Sequence, residues 1–381
     1  VKKVTFNKLG QQALAKASPA TGALLVTCMS FSLQFAVTNT VMSGFETMIQ
    51  EMAKEGKTSA NNETFEEIMA RMERKGRSGE DTKMETTCAV AEALLGCSQV
   101  EQLRVYFAGD IPWKRNNPPL KLDNKTSNKE KLASTPEIPT QTCVEIIVHA
   151  CQAVPELAQT GLAVLMNACL EGTGEVRNAV FAHGGYELSA IGFETLSRSV
   201  DGSKYSAAEW LLLSRQLGLL SRLAPLPDVH AKLYQPKSYR HLCGALRALT
   251  GSSRPAPDTR EAELVAHCVR ILAALNKPTK ECLTVGIDEK IIQTLLNIFP
   301  EPRKELGKIT SSSVCLVPEI KASSILVGNT ARCLMPYADD NDAIKILYQD
   351  RNLIGVEKLI CGMATCTEMP VRQNISVLLA K

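Results

Sequence analysis

From Cys143 to the end of the chain, apolar residues return at helical spacing in one short run after another, and almost nowhere do they alternate as strand residues would. Val144, Ile147, Val148 and Cys151 make one stripe, and Leu162, Leu165, Met166, Cys169 and Leu170 make the next. Trp210, Leu213, Leu217 and Leu220 follow, then Val265, Cys268, Val269, Leu272 and Leu275, then Ile292, Leu295, Leu296 and Phe299. The series ends with Val327, Ala331 and Leu334, with Val356, Leu359, Ile360 and Met363, and with Ile375, Leu378 and Leu379. Gly172 and Gly174, Pro225 and Pro227, Pro278, Pro336 and Pro370 punctuate the runs, so the helices are short. No helix of this length buries its own stripe, and the economical solution is to stack helices in layers. The expected class is therefore all-α.

A recurring unit can be drawn: a helix ending in Leu, a polar break, a short helix, a Gly-containing corner and a second apolar helix. Its clearest copy runs from Gly161 to Phe193, with Val176 to Ala182 as the short helix and His183-Gly184-Gly185-Tyr186 as the corner. A second copy spans Val265 to Phe299 and places its corner at Gly286. A third spans Ser324 to Met363, with a corner at Asp350-Arg351-Asn352-Leu353, and Leu211 to Ala248 is a weaker copy. Taking Leu170, Leu223, Leu275, Leu334 and Leu379 as equivalent points gives steps of about 53, 52, 59 and 45 residues, against ~40–47 for armadillo and HEAT units. The excess is read as long inter-helix insertions at Arg198 to Ser206, Gly251 to Glu261 and Glu301 to Pro318.

The helix, polar break, short helix, Gly-Gly-apolar corner and long helix of Leu162 to Ile191 resemble an armadillo repeat, and Ser324 to Met363 looks similar. The likeness covers about the last 240 residues, with irregular unit lengths and two corners that lack the second glycine. It implies an α-solenoid superhelix of armadillo-like repeats, which binds extended peptides or partner domains on its concave face. Residues 143–381 are the expected array, and 84–111 the expected first armadillo-like unit, on Thr87 to Gly109. Residues 1–83 are read as an N-terminal helical segment with charged links at Lys54 to Asn62 and Glu73 to Lys83. Residues 112–142 carry Pro112, Pro118, Pro119, Pro136 and Pro139 with several basic residues, and are expected to form a flexible loop or linker.

Composition narrows the partners. Of 381 residues, 43 are basic and 40 acidic, a formal charge of +3 that gives no global field for nucleic acid or anionic lipid. Aromatic residues make up only 5%, too few for a platform that stacks bases. The thirteen cysteines are scattered among apolar neighbours, Cys88, Cys97, Cys169, Cys268 and Cys333 among them, as small core hydrophobes would be. That usage leads us to expect a reducing, cytoplasmic setting. The uncharged stretch at residues 17–45 is interrupted by Ser30, Ser32, Gln34, Thr38, Asn39 and Thr40, so it is read as a buried helix pair rather than a membrane or targeting segment. Because the sequence opens on Val1, it is expected to be a fragment or a processed product.

No catalytic constellation emerges. Gly172-Thr173-Gly174-Glu175 lacks the lysine of a phosphate loop, and the five histidines are scattered. His149, His241 and His267 each stand near a cysteine, but no Cys-x-x-Cys pair occurs to build a tetrahedral zinc site. Asp339, Asp340, Asn341 and Asp342 lack the alternating ligands of a calcium loop and are read as a cap for the helix that follows. The expectation is a non-enzyme with no catalytic residues, metal or cofactor. Its partners are expected to be other proteins, with no nucleic acid and no membrane.

The leading functional expectation is a protein-binding scaffold or adaptor, of co-chaperone or assembly-factor kind. The alternative is a structural subunit of a large organellar or axonemal assembly, with the proline-rich linker ordered against a neighbour. The expected partner-binding residues lie on the second long helix of each unit: Asn167, Arg222, Asn329, Arg332 and Asn374. Exposed Asn and Arg pair with a partner's backbone or carboxylates, although some of these residues could equally bridge neighbouring helices.

Overall fold

The computed structural model describes residues 8–16, 21–30, 32–38, 77–108, 142–170, 174–198, 205–251, 259–299, 318–348, 354–366 and 368–381. Among the described residues helix dominates and no strand occurs, so the protein is all-α. Residues 112–141 of the proline-rich segment, the 54–62 link and the 350–353 corner lie outside the described residues. The chain divides into two compact units, Val1–Gly185 and Tyr186–Lys381.

In the N-terminal unit, helix α1 (Lys8–Ala15) and helical residues 21–30 and 32–38 precede the 23-residue α2 (Arg77–Gln99). The short α3 (Glu101–Arg104) and a 3-10 turn at Val105–Ala108 follow, then α4 (Cys143–Ala153), α5 (Ala158–Ala168) and α6 (Gly174–Ala182). α2 packs along α5, α5 along α4, and α6 against α4 and the Val105–Ala108 turn. Leu94 and Cys97 of α2, Val144 and Ile147 of α4, and Leu162 and Leu165 of α5 are all buried in this unit.

One local expectation is overturned in this unit. Residues 77–83, expected as part of a charged link, begin α2, because no proline interrupts 77–99 and the buried row Thr87, Ala91, Leu94 and Cys97 anchors one continuous helix. Along residues 21–38, Ala23, Val26, Leu33 and Val37 are buried while Leu24 and Phe35 stand exposed. By length and composition this stretch, Thr21–Thr38, could also cross a membrane.

The C-terminal unit repeats a three-helix order. It takes in most of α7 (Gly185–Arg198), then α8 (Ala207–Leu223), α9 (Pro227–Leu233) and α10 (Pro236–Thr250). Next come α11 (Arg260–Ala274), α12 (Lys280–Asp288) and α13 (Ile291–Leu296), then α14 (Pro318–Leu334), α15 (Asn341–Tyr348), α16 (Ile354–Thr365) and finally α17 (Met369–Ala380). Every third helix is a neighbour in space: α8 packs on α11, α11 on α14 and α14 on α17, forming one row. α10 packs against α11, α12 and α13, and α16 packs against α17.

Local chemistry sets the helix starts. Ser206 caps α8 in a capping box, its hydroxyl accepting from the Glu209 N–H at 3.3 Å while the Glu209 carboxylate accepts from the Ser206 N–H at 2.6 Å. Thr259 and Thr279 cap α11 and α12, each accepting a backbone N–H three residues on at 3.2 Å. Pro227 and Pro236 open α9 and α10, where a missing N–H costs nothing.

The corners differ from one unit to the next. At the Gly-Gly corner, Gly184 has φ 95, and a side chain on Gly185 would strike Val180, so both glycines are required. The corner expected at Gly286 is instead at Glu289-Lys290, because α12 continues through Gly286 to Asp288 and the chain turns at Lys290 in the left-handed region. Gly286 is needed for another reason: a Cβ there would meet the Tyr337 hydroxyl.

Candidate functional site

The row α8, α11, α14 and α17 carries the side chains that face outward together. Ser214 of α8 donates to the Glu263 carboxylate of α11 at 2.7 Å, and two turns further along α8 the Ser221 hydroxyl lies 3.4 Å from Nδ1 of His267. Contacts that advance along both helices make α8 and α11 parallel. The Cys333 thiol donates to the Val269 carbonyl at 3.4 Å, which sets the last turn of α14 beside the same part of α11. Asn374 of α17 donates to the Gly328 carbonyl of α14 at 3.5 Å.

This register places three arginines toward the same end of neighbouring helices, with Arg222 close enough to Arg270 for their charges to interact. Arg222 follows Ser221, Arg270 stands one turn after His267 and next to Val269, and Arg332 precedes Cys333. Arg222 and Arg270 are half-buried and Arg332 is exposed. None of the three has a carboxylate partner among the described residues, although other basic residues of the unit do, as in Arg247 with Glu289 at 2.7 Å and Lys381 with Asp339 at 2.7 Å. Burial lowers the Arg270 pKa, and the neighbouring Arg222 charge lowers it further. Two like charges, partly withdrawn from water and unneutralised, leave an unmet electrostatic demand on this face.

Toward the helix starts the face changes character. Ala207, Trp210, Leu211, Ser214, Arg260 and Glu263 line an open hollow of 240 Å³, with Tyr205 edge-on to Trp210 at 5.4 Å. Leu211 of α8, Ile325 of α14 and Val377 of α17 are exposed apolar side chains of the same row. Glu263 is held down to about 2 by His267, by Ser214 and by Arg215, with its own partial burial opposing them. The imidazole faces the carboxylate at 3.9 Å, too far for a hydrogen bond, so the Ser214 hydroxyl positions the group.

Of the expected binding residues, Arg222, Asn329, Arg332 and Asn374 all fall on this row, which is made of the first, Leu-ending helix of each unit and not of the second long helix as expected, and Asn329 is half-buried one turn before Arg332. Asn374 uses a donor to tie α17 to α14. Asn167 lies on α5 of the N-terminal unit and donates to the Ser98 hydroxyl of α2 at 3.3 Å, so it bridges helices there. Arg270 escaped the sequence reading. Its signal is nonetheless present, because it stands two residues before Leu272 as Arg332 stands two before Leu334, whereas Leu275, used as the anchor, is the residue after α11 ends.

Other reactive groups are committed to the interior. Burial pushes the thiols of Cys97 up to about 11 and those of Cys143, Cys151 and Cys268 up to about 12, and raises Cys243 and Cys333 further. Thiols so placed are poor nucleophiles. Among the described residues no group of three or more His, Cys, Asp or Glu side chains could hold a metal ion. Asp340 accepts from the N–H groups of Asp342 and Ala343 at 3.0 and 3.1 Å, capping α15.

No protein-family model and no curated protein matches this chain. A solved engineered protein from the Northeast Structural Genomics Consortium aligns with 92% of this chain and 98% of its own at 12% identity, with a TM-score of 0.25. A likeness at that level transfers neither fold nor function.

Proposed function

We propose that this chain is a protein-binding scaffold or adaptor, an α-solenoid of armadillo-like repeats that holds a segment of another protein along the outward face of α8, α11 and α14. The observation that carries the reading is the set of Arg222, Arg270 and Arg332 on three successive helices of one row, without carboxylate partners among the described residues. Fold stability alone gives no reason to crowd unneutralised guanidinium groups at half-buried positions, whereas a partner's carboxylates or carbonyls would satisfy them. Exposed Leu211 and Ile325 supply apolar contact on the same row. The thirteen cysteines, with no disulfide among the described ones, support a reducing, cytoplasmic setting, where co-chaperone and assembly-factor work would take place.

The test is site-specific photo-crosslinking in cells from positions 211 and 325, with position 360 on α16, exposed but outside the row, as the control. Adducts to one partner are expected from the first two positions and not from the third. They should disappear when Arg222 and Arg332 are both changed to Glu, with the helical circular dichroism unchanged. Adducts that survive the double change, or that form only from position 360, would place the binding face elsewhere.

A further inference from the structure

We infer that the segment held on this face is an extended acidic polypeptide whose carboxylates reach across Arg222, Arg270 and Arg332 in turn. The inference rests on reading the row as the binding face and adds the chemistry of the occupant. The three arginines stand toward the same end of three neighbouring helices, in the register fixed by Ser221 with His267 and by Cys333 with Val269. Packed helices stand about 8–10 Å apart. A chain extended as a polyproline-II helix advances about 3.1 Å per residue with three residues per turn, so acidic side chains three residues apart share one face and would meet successive arginines at about 9 Å intervals. A guanidinium donates two parallel N–H bonds to a carboxylate, which suits such a ladder better than a single point charge would.

The charges already on the row leave this end free for an anion. Glu263, the nearby acid of α11, lies two turns before Arg270 and is engaged by Ser214 and His267. Phosphate could answer the same guanidinium groups, but nucleic acid would be expected to meet aromatic stacking surfaces, and among the described residues of the row the aromatic Trp210 is buried while the exposed large apolar side chains are Leu211, Ile325, Met369 and Val377. Apolar side chains interleaved with acidic ones in a polypeptide match both halves of the face.

The probe is a fluorescent 15-residue peptide with Glu at every third position and Ser and Gly between, measured by fluorescence anisotropy with the full chain at low salt. Companion probes carry Gln or Lys in place of Glu, and a fourth is oligothymidylate of the same length. The Glu peptide should bind, the Gln and Lys peptides should not, and R270E should weaken binding by about tenfold or more. The exposed-site variant R332E should weaken it in the same direction, which keeps the test valid if R270E fails to fold. The combined variant R222E, R270E, R332E should lose the Glu peptide and gain the Lys peptide.

No binding of the Glu peptide by the unaltered chain, or equal binding by the combined variant, would overturn the inference. Tighter, arginine-dependent binding of oligothymidylate would overturn it in favour of a polynucleotide. If the Glu peptide fails but photo-adducts at position 211 still depend on Arg222 and Arg332, only the acidic chemistry falls and the scaffold reading stands. If the adducts are also indifferent to those arginines, both fall.

Discussion

The Tyr239 hydroxyl lies 3.0 Å from the Tyr337 hydroxyl, tying α10 to the 3-10 turn Met335–Asp339 inside the C-terminal unit. Both residues are buried, at 3% and 1% exposure, and burial pushes both phenols well above their ordinary range. A hydroxyl deprived of its partner there cannot turn to water. Changing either tyrosine to Phe should cost about 1–3 kcal/mol, and changing both should cost clearly less than the two single losses combined. Urea denaturation of the two single variants and the double variant closes that cycle. Strict additivity would mean that the hydroxyls do not share a bond.

Lys290, between α12 and α13, occupies the left-handed region with φ 57 and ψ 35, the conformation that a glycine tolerates without strain. An L-residue there costs about 1–2 kcal/mol relative to its preferred region, while glycine loses some of that gain to its greater unfolded freedom. Lys290→Gly should therefore stabilise the chain by about 0.5–1 kcal/mol, and Lys290→Ala should not. Differential scanning calorimetry reads the shift, and a lower melting temperature for the glycine variant would contradict the assigned corner.

Leu165, Leu272 and Leu359 each lie mid-stripe and are 0%, 5% and 0% exposed. Truncation to Ala removes buried methyl groups and leaves a cavity, so each should cost about 2–5 kcal/mol. Thermal unfolding of the three variants checks this, and three unchanged melting curves would refute the stacked-helix core.

Much of this fold could be read from the residues because its local signals are strong. The stripe Val265, Cys268, Val269 and Leu272 marked α11, but not its start, because the Thr259 cap and the first turn at Arg260 and Glu261 fall in the stretch Gly251 to Glu261 expected as an insertion. The Gly184-Gly185 corner was legible for the same reason, since glycine is the side-chain-free solution to a left-handed turn and to the Val180 contact at once. The equivalent turn at Lys290 was not, because nothing in a lysine announces positive φ, and Gly286 nearby offered a plausible decoy whose real role is to admit Tyr337. The candidate site was legible only in part. Arg222 and Arg332 announce themselves at helix ends, but whether Arg270 joins them depends on helix register, which long-range contacts such as Cys333 to Val269 decide.

Glu263 supplies the pH-dependent prediction. Its carboxylate faces His267 at 3.9 Å, accepts from Ser214 at 2.7 Å and lies near Arg215, and together these hold it at about 2, below its ordinary 4.5. The folded chain therefore binds this proton more weakly than the unfolded chain does, so ionised Glu263 stabilises the fold at pH values above about 4.5. That contribution is lost as pH falls from about 4.5 toward about 2. Because the side chain is 58% exposed, water and salt screen the interaction, and the effect should remain below about 1 kcal/mol. Glu263→Gln keeps an oxygen for Ser214 while removing the charge. The melting temperature of the unaltered chain should exceed that of Glu263→Gln at pH 5 to 6 in low salt, and the two should converge between pH 4.5 and 2. Added salt should narrow the gap at pH 5 to 6. A gap that persists unchanged to pH 2 would show that the charge of Glu263 does not stabilise the α8–α11 contact.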